Sequence, residues 1–159
     1  MAYEDRTYHG IQGVGSDEDE WQPARLLVEM PEDGPTQREN VNVLRELPEP
    51  EDSGGFGWGC NGTGTGTGTS HTAASVLADA LDLGEPAACG IGFVAHPEDR
   101  ALVALREDFC VDVPSQFCNE WRLGRGAILR WARGWYVQRG IRELPAAVRD
   151  LPPLVDIEV

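Results

Sequence analysis

The chain has 159 residues and a formal net charge of −14, and its 13 strongly basic residues are all arginine. That length fits one domain with its own apolar core. The lack of lysine excludes both a Schiff-base lysine and the lysine of a P-loop. An arginine-only, acid-rich composition suits a GC-rich genome and adaptation to high salt, where surface carboxylates keep a protein hydrated.

The charge is unevenly placed. Residues 1–60 carry 14 acids against 4 arginines, whereas 122–142 carry 6 arginines and no acid. An acidic body with one basic helical stretch is the expectation. No signal-peptide core precedes Tyr8, and no run approaches the length of a membrane span. A soluble protein, cytoplasmic or virion-associated, is therefore expected, with no membrane contact. The four cysteines, Cys60, Cys89, Cys110 and Cys118, form no C-x-x-C and no zinc spacing. Cys110 and Cys118 read as buried small apolar residues.

In chain order, a short strand is expected around Arg6–His9, followed by an acidic loop at 12–24 that holds Trp21. Arg25–Met30 and Asn40–Leu47 read as strands on either side of a Pro31–Pro35 turn, so an antiparallel pair is expected. Val41 and Val43 alternate, with Arg45 next in the series. Phe56 and Trp58 share one side of an extended segment and read as core. A fourfold Gly-Thr repeat fills a loop at 60–70. Ser70 or Thr72 then caps a helix that runs to about Leu83 and ends at Gly84. Ala73, Val76, Leu77, Ala80 and Leu81 form its apolar face.

A second helix is expected from near Pro97 or Glu98 to about Val113, with Leu102, Leu105, Phe109 and Val113 as its buried stripe and Pro114 as its stop. Trp121–Leu123 reads as extended. Arg125–Gln138 reads as a third helix from the spacing of Ile128, Trp131, Ala132 and Trp135. Residues 1–142 make the domain, and 143–159 a tail with a short helix at Ala146–Asp150. The fold class is α+β, a small antiparallel sheet with about three helices packed on it.

Several of these residues are similar to a domain-of-unknown-function family of small prokaryotic, viral and plasmid proteins, marked by F-x-W-G-Y-x-G-S-G-P before an alanine-rich helix. Phe56-Gly57-Trp58-Gly59-Cys60 and Gly66-Thr67-Gly68-Thr69 carry that motif, followed by Thr72-Ala73-Ala74 and Leu77-Ala78-Asp79. Asp108-Phe109 resembles its D-F, and Trp121-x-Leu123 with Ile128 and Trp131 its W-x-L-T-G-x-x-I-x-x-W. Tyr8-His9-Gly10 resembles its opening Y-x-G. The likeness covers about residues 7–135. Cys60 stands where the family has tyrosine and Thr69 where it has proline, the loop is longer, and Gly124 and Gly126 stand at the usual helix-capping positions. The resemblance implies a fold and a mobile-element setting, and no reaction.

Candidate sites are few. Gly66, Thr67, Gly68, Thr69 and Ser70 offer backbone N–H groups and hydroxyls at a helix start, the material of an anion or nucleotide site. Without lysine or a G-x-G-x-x-G spacing, a plain loop lengthened by a simple repeat is the stronger reading. His9, His71 and His96 are scattered, and His71 with Asp79 or Cys60 is the one grouping worth testing. Arg122, Arg125, Arg130, Arg133, Trp135 and Arg139, with Arg142, offer a contact surface for a protein partner or a second copy, or else pair with the chain's own acids. The expected role is a non-enzymatic accessory or interaction protein of a virus or other mobile element, with no cofactor, metal or nucleic acid. An acidic nucleic-acid mimic and a phosphate-binding domain built on the Gly-Thr loop are the alternatives.

Overall fold

A computed structural model of the chain describes residues 6–12, 24–30, 42–49, 55–59, 67–92 and 98–151. The expectations for Trp21, the acidic loop, the Pro31–Pro35 turn, Val41, Cys60, Gly66 and His96 fall outside these residues. Four strands, β1 (Thr7–Ile11), β2 (Arg25–Met30), β3 (Asn42–Glu46) and β4 (Glu120–Gly124), form one antiparallel sheet in the order β3-β2-β1-β4. The helices are α1 (Thr67–Ala80), α2 (Arg100–Asp112), α3 (Arg125–Gln138) and the short α4 (Ala146–Arg149), with a 3-10 turn at Pro114–Gln116. The α+β class stands.

Strand alternation sorts the sheet into two faces. Tyr8, Leu26, Val28 and Trp121 turn inward and join one core with residues of α1, α2 and α3. His9, Glu29 and Arg122 belong to the other face. Gly10 pairs with Leu26 on one side and Trp121 on the other. The Trp121 indole packs against it, and a Cβ on Gly10 would sit 2.3 Å from the ring. Trp121 also meets Trp58 edge to face at 5.3 Å and Phe117 at 4.5 Å. Phe56 and Trp58 are core, as their spacing suggested.

α1 is buried on nearly every side, so it is the central helix of the fold rather than an amphipathic surface helix. It starts at Thr67, earlier than Ser70 or Thr72, because the Phe56–Gly59 segment supplies partners for its first turn. The Gly57 N–H is shared between Gly68 O and Thr72 Oγ1, each at 3.2 Å, and Thr72 Oγ1 donates to Gly57 O at 2.8 Å. α1 ends before Gly84. Leu83 N donates to Ala78 O (2.9 Å) and Asp82 N to Asp79 O (3.1 Å), the Schellman pattern, with Asp82 in the left-handed position at φ 54°.

α2 is capped by Asp99, whose carboxylate accepts from Ala101 N and Leu102 N at 2.9 and 3.1 Å. The bounds of α3 match the expectation. Its start has no side-chain cap, but Arg125 N donates to Arg6 O at 2.7 Å, so the chain leading into β1 does the work of a cap. The segment read as a tail is corrected in part. Val148 on α4 and Leu151 are buried in the common core, so packing continues past residue 142.

Candidate functional site

The Gly-Thr repeat does not form a free loop up to Ser70. Thr67, Gly68, Thr69 and Ser70 are the first four residues of α1. Thr69 is fully buried, Gly68 lies against Gly57, and Ser70 Oγ faces Cys110 Sγ on α2 at 3.9 Å. This helix start is packed against protein rather than open as an anion cradle.

The arginine and tryptophan surface is likewise corrected. Arg125 is 4% exposed and Trp135 5%, so both are interior. Arg122 donates to Glu29 Oε1 at 3.1 Å. Arg139 pairs with Asp108 and stacks over Trp135 at 4.2 Å, while the Trp135 indole N–H donates to the same carboxylate at 2.8 Å. The chain's own acids take up these cations. Arg130, Arg133 and Arg142 are exposed and have no ion pair to a described residue.

His71 and Asp79 form no pair. His71 is buried beside Arg106, and burial together with that guanidinium lowers its pKa. Burial raises the Cys110 thiol above its ordinary value, against the effect of Ser70 and Arg106. Cys110 and Cys89 are half-buried, but Cys118 is exposed, contrary to expectation. Among the described residues no group of histidine, cysteine and acids could hold a metal ion.

Two clusters emerge that no motif announced. On the outer sheet face, His9 Nδ1 lies 2.6 Å from Glu29 Oε2, and His9 Nε2 lies 2.6 Å from Glu120 Oε2. Each contact is a hydrogen bond when that ring nitrogen bears a proton. With Arg122 on Glu29, the cluster ties β2, β1 and β4 together.

The second cluster lies at the C-terminal end of α1. Arg6 donates to Asp79 Oδ2 (3.1 Å) and Asp82 Oδ1 (2.8 Å). Tyr8 OH donates to Asp79 Oδ2 at 2.6 Å, and Arg45 on β3 pairs with Asp79 Oδ1. Arg125 closes the set, donating to Asp82 Oδ2 and to Ala80 O, each at 2.8 Å. Three arginines from the lead into β1, from β3 and from α3 thus meet two aspartates. Cations here also complement the negative end of the helix dipole. Burial, followed by the Asp79 charge and hydrogen bond, pushes the Tyr8 hydroxyl far above its ordinary pKa and keeps it a donor. For Arg6, burial works against the charge, but the Asp82 hydrogen bond and the neighbouring charges outweigh it and the pKa rises.

Beside this cluster opens a cleft of about 430 Å³. Arg6, Arg45, Ser75, Asp79 and Asp82 line it together with Leu47 and Pro48. A signal for this site was present in the sequence. Two aspartates at the last turn of a helix oppose its dipole and call for cations from elsewhere. What the sequence could not supply was which arginines would come.

No helix among the described residues is long and apolar enough to cross a membrane. No family model, curated protein or solved structure matches the chain.

Proposed function

We propose that the chain is a non-enzymatic interaction protein, a structural accessory of a virus or similar mobile element, which joins a second copy of itself edge to edge through β3. The observation that carries this reading is the pair Val43 and Leu44, 52% and 45% exposed on an edge strand. Among the described residues no strand lies on the outer side of β3. Edge strands are commonly guarded by lysine, proline or inward charge. β3 carries charge in its second half, at Arg45 and Glu46, but at Val43 and Leu44 two successive apolar side chains stand in water, and an added strand covers both while pairing the outer backbone groups. A two-fold pairing makes the contact self-complementary.

His9, Tyr8, Asp79 and Asp82 are each engaged in close hydrogen bonds or ion pairs. The mobile-element setting rests on the Phe56-x-Trp58-Gly59 resemblance, and adaptation to high salt rests on the lysine-free, acid-rich composition.

The test is sedimentation equilibrium of the full chain in dilute and in high salt. A dimer that Val43→Glu and Leu44→Arg each convert to a folded monomer supports the reading. A wild-type chain that stays monomeric at its highest soluble concentration in both salts, and brings down no partner from its host, overturns it.

A further inference from the structure

The hydrogen-bond inventory of the cleft at the end of α1 is unbalanced. The two carboxylates at its floor are taken up: Asp79 serves Arg6, Tyr8 and Arg45, and Asp82 serves Arg6 and Arg125. Its donors are in excess. A guanidinium has five N–H groups, and Arg45, 44% exposed in its side chain, makes one ion pair, to Asp79. Ser75 is 3% exposed, and its Oγ is buried with no hydrogen-bond partner. A buried hydroxyl left unpaired is costly, and native proteins keep such a group where something else comes to meet it. The cleft also has apolar wall at Leu47 and Pro48, and a further acid, Glu85, which is exposed.

We propose that this cleft binds a small organic oxyanion, a carboxylate or phosphate on a compact apolar body, whose oxygens accept from Arg45 and Ser75 while the body rests on Leu47 and Pro48. Arginine suits such a ligand because its planar fork presents two parallel N–H groups to an oxyanion. The surplus of donors selects an acceptor-bearing ligand, and the apolar wall favours an organic anion over a bare ion. Arg45 follows Leu44 on β3, but its guanidinium turns to Asp79 in the cleft, and Ser75 lies on α1 away from that edge, so Ser75→Ala tests the site independently of self-association.

The experiment is calorimetric titration and thermal melting of the full chain with benzoate and, separately, with inorganic phosphate, each against chloride at matched ionic strength. The expected result is saturable binding of benzoate, with inorganic phosphate weaker because it lacks the apolar body. Saturation by phosphate at least as tight as by benzoate overturns the organic-body part of the proposal. Arg45→Gln is expected to weaken binding about tenfold or more. Because Arg45 also holds Asp79, Ser75→Ala is the decisive variant. It removes no existing hydrogen bond, so the unliganded melting temperature stays or rises while the affinity falls. Absence of saturable binding to both anions, or an affinity unchanged by Ser75→Ala and Arg45→Gln, overturns the proposal.

Discussion

Arg125, the first residue of α3, reaches Asp82 just beyond the end of α1, with Nη2 2.8 Å from Oδ2. Asp82 takes a left-handed backbone angle to be there, the only non-glycine among the described residues to do so. L-residues pay roughly 1–2 kcal/mol for that conformation, aspartate less than most. The arginines on its two carboxylate oxygens offset the strain.

Asp82→Ala is expected to destabilise the fold by about 2 kcal/mol, since it removes the Asp82 carboxylate from the buried Arg125 and Arg6 guanidinium groups. The loss stays below that of a fully buried pair because the Asp82 side chain is 60% exposed. Asp82→Gly, which is free of the backbone strain, should be about 1 kcal/mol less damaging than Asp82→Ala. Urea unfolding of the three proteins measures both differences, and equal losses would remove the strain from the account.

Gly10→Ala should cost about 2–3 kcal/mol, because the new methyl overlaps the Trp121 indole in a packed aromatic cluster. Gly59→Ala should be worse. Its φ of +48° is left-handed, and a Cβ there would stand 1.5 Å from Phe117 O, a backbone atom that cannot swing aside. Thermal melts of both variants rank the two effects.

His71 links stability to pH. Its pKa is lowered by burial and then by Arg106, so the folded state disfavours the proton that the unfolded chain accepts near pH 6.5. Its contribution is intact above that pH and shrinks as the pH falls toward the lower folded value. His71→Leu should flatten the acid side of the stability profile by the corresponding amount. Tyr136 acts at the other end. Burial, then the charge of Asp99, pushes its hydroxyl up to about 12. The folded state therefore holds a proton that the unfolded chain releases near pH 10, and stability falls as the pH rises from there. Ultraviolet titration of the native protein should show Tyr136 ionising late, and Tyr136→Phe should remove that step.

The cysteines should react in order of access. Cys118 is exposed, while Cys89 and Cys110 are half-buried with thiol pKa values raised chiefly by burial. Iodoacetamide with peptide mapping should modify Cys118 first among these three. Faster labelling of Cys110 would contradict the packing of α1 on α2.

Periodicity and punctuation in the chain determine most of the secondary structure. The i, i+3, i+4, i+7 spacing of Ile128, Trp131, Ala132 and Trp135 defines α3, Pro114 stops α2, and the alternation of Val43 and Arg45 marks β3. These signals are local, and so they survive in a bare sequence. The start of α1 is not legible in the sequence, because the partners of its first turns, Gly57 and its neighbours, lie well upstream. The basic stretch at 122–142 was visible as charge, but whether an arginine faces water or an aspartate depends on what packs opposite it. Only the tertiary structure put Arg125 under the end of α1, His9 between Glu29 and Glu120, and Arg6 and Arg45 on Asp79. Each of these contacts joins residues well separated in the chain, and composition and periodicity carry no information about pairing at that range.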